Sequence, residues 1–190
     1  MQGLNSVKTF YAPDRLSWRK WLRTHFRSEK EIWLVYFKKA TGKPRVDYND
    51  AVEEALCFGW IDSTVRSLDN ERFAQRFSPR NPKSAYSQAN KERLKRLLKE
   101  RKVARDVVPT LGDLGNDGLE VPADILRAVR SNAKAWRNFQ NFSPSYKRIR
   151  IAFIEGARRR PTEFRKRLAY FIKMTEIGRQ FGFGGIEKYY

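Results

Sequence analysis

One cysteine, one histidine and two methionines are all that 190 residues contain of those types. A lone thiol, Cys57, forms no internal disulfide, so nothing in the sequence asks for an oxidising compartment. It lies in the apolar run Ala55-Leu56-Cys57-Phe58 and reads as a buried, inert side chain. The lone imidazole, His25, excludes a multi-histidine metal site and leaves nucleophile–histidine catalysis a single candidate partner. No window approaches the roughly 18 consecutive apolar residues of a membrane span. The first ten residues also lack the basic-then-apolar pattern of a secretory leader, so the expectation is a soluble, cytoplasmic protein. Missing too are a P-loop, a dinucleotide-binding glycine fingerprint, a CxxC pair and an HExxH helix, and no cofactor or metal is expected. Gly182-Phe183-Gly184-Gly185 is glycine-rich but has no strand-to-helix context that would make it a phosphate loop.

Acidic residues are scarce: 21 Asp and Glu stand against 40 Lys and Arg, for a formal charge of +19 and a pI near 10.3. Such an excess attracts polyanions, whether nucleic acid, an anionic lipid surface or a phosphorylated ligand, and also serves simple solubility. What the chain has in quantity is aromatic surface, with thirteen Phe, eight Tyr and five Trp. That is enough apolar material for a packed core, which excludes wholesale disorder.

The hydrophobic pattern predicts an α+β domain over 1–108, a linker over 109–121, a basic helical module over 122–180 and a tail over 181–190. Pro13 is suited to the first turn of a helix over 16–26, with Trp18, Trp21, Leu22 and His25 on one face. The run 32–37 is continuously apolar and β-prone and reads as a central strand. Asp47 or Asn49 can cap the next helix, whose Val52, Ala55 and Leu56 share a face, and Gly59 can end it. Strands over 60–68 and 71–78 follow, and Asp69-Asn70 between them suits a two-residue turn with positive φ. Ser84 or Ser87 then caps a charged helix from Gln88 to about Lys102. In the C-terminal module four helices open near Pro122, before Ala135, at Ser143-Pro144 and at Pro161. The sheet should be small and mostly antiparallel, packed by helices and followed by the all-helical module.

Two stretches could carry function. Between Asp62 and Asn90 lie Asp62, Arg66, Arg76, Arg80, Ser84, Ser87 and Asn90, on two strands, a loop and a helix start. Arginines beside free helix N–H groups are what a phosphate or carboxylate requires. The same arginines can instead pair with Asp62, Asp69 and Glu71 and merely fix the hairpin. The second stretch comprises Arg158-Arg159-Arg160 and Arg165-Lys166-Arg167, flanking Pro161 at a helix–helix corner, where they suit phosphate-backbone contact or form a solvated face. Residues 121–190 hold sixteen Lys and Arg against five acids, so the positive charge is densest here. The helical spacing of Tyr146, Phe164 and Tyr170 nearby marks most of them as core. Glu53-Glu54 sits on a helix with no evident partner base.

The motifs Ala51-Val52-Glu53-Glu54-Ala55-Leu56-Cys57-Phe58-Gly59-Trp60-Ile61-Asp62, Arg66-Ser67-Leu68-Asp69, Arg76-Phe77-Ser78-Pro79-Arg80 and Asn90-Lys91-Glu92-Arg93 carry a family resemblance. So do Pro122-Ala123-Asp124, Ala135-Trp136-Arg137-Asn138-Phe139 and Ser143-Pro144-Ser145-Tyr146. Over about residues 14–178 the chain resembles the YdeI/OmpD-associated, or bacteriocin-protection, family. Two departures stand out: Tyr86 takes a position expected to be Trp, and Lys99 to Val103 replace a glycine-and-methionine turn. The resemblance implies a resistance setting and brings no reaction or cofactor. The leading expectation is a non-enzymatic binding protein for an anionic partner, nucleic acid or a phosphorylated ligand. The alternative is an enzyme on a phosphorylated or carboxylated small molecule, with Asp62 as base and Arg76 and Arg80 as clamp. Adsorption to an anionic membrane surface is a third possibility.

Overall fold

A computed structural model describes residues 7–115, 118–182, 186, 187 and 190. The chain divides into two compact units: the described residues up to Tyr86 together with Arg93–Leu114, and Ser87–Glu92 with the described residues from Gly115 onward. Of the tail glycine run, 183–185 lie outside the described residues. No helix of the described residues is long and apolar enough to cross a membrane.

The first unit is built on a mixed, mostly antiparallel four-stranded sheet of order β1-β2-β4-β3, with β1 Thr9–Tyr11, β2 Ile32–Phe37, β3 Trp60–Ser67 and β4 Arg72–Pro79. β1 was not expected; three residues are too few to carry a periodic signal, and its parallel pairing with β2 alone defines it. β2 reads as one apolar run because both of its faces are covered. Ile32, Leu34 and Tyr36 enter the main core, while Trp33 and Val35 form a small cluster with Ala74 on the other face. Helices α1 Arg15–His25, α2 Tyr48–Cys57 and α3 Gln88–Lys99 supply the rest of the main core: Trp18, Trp21 and Leu22, then Val52, Ala55 and Leu56, then Leu94 and Leu97. Two buried indoles keep their N–H groups satisfied, Trp18 on the Ala51 carbonyl and Trp60 on the Phe26 carbonyl, both at 3.0 Å.

Several local expectations are corrected. Asp14, not Pro13, stands at the start of α1, accepting from the Ser17 N–H at 2.7 Å, and Pro13 precedes the helix. Asp69 and Asn70 do not adopt positive φ, since Arg101 is the only described non-glycine residue that does. The hairpin loop is wider than two residues, and the Asp69 carboxylate closes it by accepting from the N–H groups of Glu71 and Arg72. α3 stops at Lys99 because Arg101 turns left-handed at φ 55°, and the Lys102 N–H returns to the Leu97 carbonyl at 2.9 Å.

The second unit contains α4 Ala123–Arg130, α5 Ala133–Asn141, α6 Pro144–Glu155 and α7 Pro161–Glu176. Its starts follow sequence chemistry: Asn132 caps α5, Ser143 caps α6 with Pro144 next, and Pro161 opens α7. Ile125, Val129, Phe139, Tyr146, Ile154 and Phe171 make its core. The end of α7 is held by Asn138, whose side-chain amide donates to the Thr175 and Glu176 carbonyls at 2.9 and 3.1 Å.

Candidate functional site

The hairpin strands send the predicted ligand residues to two faces of the sheet. Asp62 pairs in register with Phe77, which faces the helices, whereas Arg76 pairs with Trp33 and Arg66 with Ala74 on the opposite face. Arg66 lies over the Trp33 ring at 4.8 Å. Arg76 binds Glu31 through Nε at 2.8 Å and Nη2 at 2.7 Å, a partner outside the hairpin and different from Asp62, Asp69 and Glu71. Arg80 stacks on Tyr86 at 3.6 Å, the position where tryptophan was expected. Ser84 is exposed on the loop, its N–H on the Asn81 carbonyl, and Ser87 caps α3 by accepting from the Asn90 N–H at 3.3 Å. Ser87 and Asn90 belong to the second unit, the other five to the first.

Around Asp62 the sequence hid a polar cluster. The Tyr48 hydroxyl and the Gln75 side-chain amide donate to one carboxylate oxygen, Oδ2, at 3.0 and 2.7 Å. Gln75 is buried in the middle of β4 opposite Leu34, and Tyr36, two residues further along β2, is buried with its hydroxyl lacking a hydrogen-bond partner among the described residues. Burial first, and then the negative charge of Asp62, push the hydroxyl pKa values of both Tyr36 and Tyr48 upward. Both hydroxyls therefore stay protonated and able to donate. A polar Gln75 standing between Phe73 and Phe77 on one face of β4 was the available signal, since such a residue is buried only against a partner.

Glu53 and Glu54, which looked partnerless, are almost fully buried and held by arginines. Arg15 reaches Asp50 at 2.6 Å, Glu53 at 3.2 Å and Glu54 at 2.6 Å. Arg19 reaches Glu54 at 2.5 Å, and Arg96 pairs with Glu53 and Glu100. This is a scaffold of α1, α2 and α3, not an exposed acid–base pair. The depression at the hairpin tip lined by Phe37, Lys43, Asp69 and Arg72 likewise has its charges matched, Lys43 with Glu71 and Arg72 with Asp69.

In the second unit the six candidate cations divide. Arg158 is committed to Asp124 and Glu155, and Arg167 to Glu163 and the Phe153 carbonyl. Among the described residues Arg159, Arg160, Arg165 and Lys166 are exposed with no side-chain hydrogen bond or ion pair, although the charges of Arg160 and Lys166 help hold the Glu163 carboxyl below its usual pKa. They bracket Pro161 where α6 hands over to α7.

Residues 10–108 match the family model of a domain of unknown function (DUF8412), and residues 118–178 match that described as bacteriocin-protection, YdeI or OmpD-associated. The hairpin motifs thus fall in the first match, and the resemblance to the bacteriocin-protection family is localised to the helical region. No curated protein and no solved structure matched the chain. By these matches the chain belongs to the DUF8412 family and carries, over 118–178, a YdeI/OmpD-associated domain.

Proposed function

We propose that the chain is a non-enzymatic, cytoplasmic binding protein for a phosphate-rich polymer, acting in the resistance setting that the second domain's description names. The observation that carries this reading is the set of four exposed cations, Arg159, Arg160, Arg165 and Lys166, outside any ion pair of the described residues at the α6–α7 corner. Neighbouring Arg158 and Arg167 are neutralised by acids, so the corner separates structural from available charge. Available charge next to a chain-wide +19 favours phosphate contact with counterion release. The buried, unpaired Cys57 places no demand for an oxidising compartment.

The test is fluorescence anisotropy of the full chain with labelled oligonucleotides at about 50 and 200 mM salt. Four duplex phosphate contacts predict about a hundredfold loss of affinity over that range. Arg160→Glu with Lys166→Glu should abolish binding. Absence of binding at the lower salt would end the reading.

A second reading rests on the Asp62 cluster. A small phosphorylated or carboxylated molecule would hydrogen-bond to the Tyr36 hydroxyl, with Asp62 as base in the enzymatic version. Arg76 on the opposite face and bound to Glu31 weakens its part as clamp. A thermal-shift panel of such compounds decides it. A stabilising hit lost in Asp62→Asn supports the reading, and hits indifferent to that change sink it.

A further inference from the structure

α6 and α7 carry two large aromatic side chains that their own core does not take in. Phe153 is 45% and Tyr170 51% exposed, although the buried positions of the same helices include Ile151, Ile154 and Phe171. Each ring is held by a neighbour while about half of its residue stays exposed. The Arg167 guanidinium lies 3.9 Å from the Phe153 centroid while its Nη1 donates to the Phe153 carbonyl at 2.7 Å. Tyr170 meets Phe181 edge-on at 4.9 Å and 80°. Held rings lose little rotamer freedom when something stacks on them.

The charge around the ledge is mostly positive. On the α7 surface Lys166 stands four residues before Tyr170 and Lys173 three after it, so both flank the ring, and both are exposed. Beneath lies Arg150, 6% exposed, with its guanidinium 4.7 Å from Phe153 and 4.1 Å from Phe181. Among the described residues its Nε has no hydrogen-bond partner and it forms no ion pair. Burial lowers the pKa of Arg150, and the nearby Arg167 charge lowers it further. Tyr146, Glu187 and Tyr170 act in the opposite direction. A guanidinium taken out of water and outside any ion pair of the described residues adds positive potential beside the two rings, offset in part by Glu187.

We infer that this ledge is a stacking platform for single-stranded nucleic acid, with bases on the exposed parts of Tyr170 and Phe153 and phosphates on Lys166 and Lys173. The inference rests on the polymer-binding reading above and narrows it. An exposed ring between cations matches a strand whose bases are free to stack. A duplex hides its base faces and would use the cations alone. Stacking accepts any base, so the platform is tolerant of sequence.

The experiment compares labelled oligothymidylate with a duplex of equal length, using the full chain and its variants. Tyr170→Ala should weaken oligothymidylate binding about 5- to 100-fold with the salt slope unchanged, and leave duplex binding alone. Tyr170→Phe should retain affinity. Lys166→Gln and Lys173→Gln should each lower the slope by about 0.7 on the single strand. If Tyr170→Ala leaves oligothymidylate binding intact while the lysine variants weaken both nucleic acids alike, the platform is wrong and the polymer reading stands. If neither nucleic acid binds, both fall together. Tyr170-dependent binding to phosphatidylglycerol vesicles, with none to oligothymidylate, would overturn the platform in favour of a membrane surface.

Discussion

Glu53 and Glu54 occupy adjacent positions on α2 and are both nearly inaccessible, an arrangement tolerable only because arginines of two other helices reach them. Burial works against the Arg15 and Arg96 charges, and the carboxylates outweigh it, so both guanidinium pKa values end up raised. Removing one acid leaves desolvated arginines behind. Glu54→Ala should destabilise the fold by about 3 kcal/mol, near the lower end for breaking a buried pair, since Arg15 and Arg19 can turn partly to water. Urea unfolding monitored by tryptophan fluorescence measures it; an unchanged midpoint would show that the scaffold is decorative. Cys57, packed on the same helix, has its thiol pushed from an ordinary 9.0 to about 11, chiefly by burial and next by the Glu54 charge. A raised pKa means that the folded state keeps the proton longer than the unfolded one. Its contribution is complete below about pH 9 and lost as pH rises towards about 11. Tyr36 and Tyr48, also raised, add to the loss at the alkaline end. The melting temperature should therefore fall steadily above pH 9, and scanning calorimetry across that window checks the sign.

Elements show where local chemistry yields to packing. Arg101 holds a left-handed φ that costs an ordinary side chain about 1 kcal/mol and costs glycine little. Arg101→Gly should thus raise stability by up to about 1 kcal/mol, offset in part by the freer unfolded chain. A lowered melting temperature would mean that the Arg101 side chain contributes more than the turn costs. This residue falls within the segment that replaces the expected glycine turn, so the departure noticed in the sequence has a conformational consequence. The hairpin teaches a related lesson. Asp69-Asn70 signals a turn correctly, but the Asp69 carboxylate bonding two N–H groups substitutes for the positive φ of a tight loop. The two strands were likewise readable, and in β4 the four-residue spacing of Arg72 and Arg76 puts both on one face. That Asp62 falls on the other face was also implicit in the pairing, but register is set by long-range contacts and by an irregularity between Asp62 and Val65.

At the scale of the whole molecule, a net +19 sets local attraction against global repulsion. Buried pairs such as Arg15 with Glu54 are weakly screened, whereas repulsion among exposed cations weakens with added salt. Raising the salt from about 50 to 300 mM should raise the melting temperature. A fall would show that surface pairs such as Arg27 with Asp106 dominate. The fold class, the central strand, the helix starts at Ser143-Pro144 and Pro161, and the positive bias of the C-terminal region were determined by the sequence alone, because each follows from composition, period or a cap acting within a few residues. Which charges are spent was decided only by tertiary structure. Glu31 against Arg76, Asp124 against Arg158, and Tyr48 with Gln75 on Asp62 join residues far apart in the chain. A charged or aromatic side chain looks the same in sequence whether folding gives it a partner or leaves it to solvent, and that difference separates Arg158 from Arg159 and Tyr146 from Tyr170.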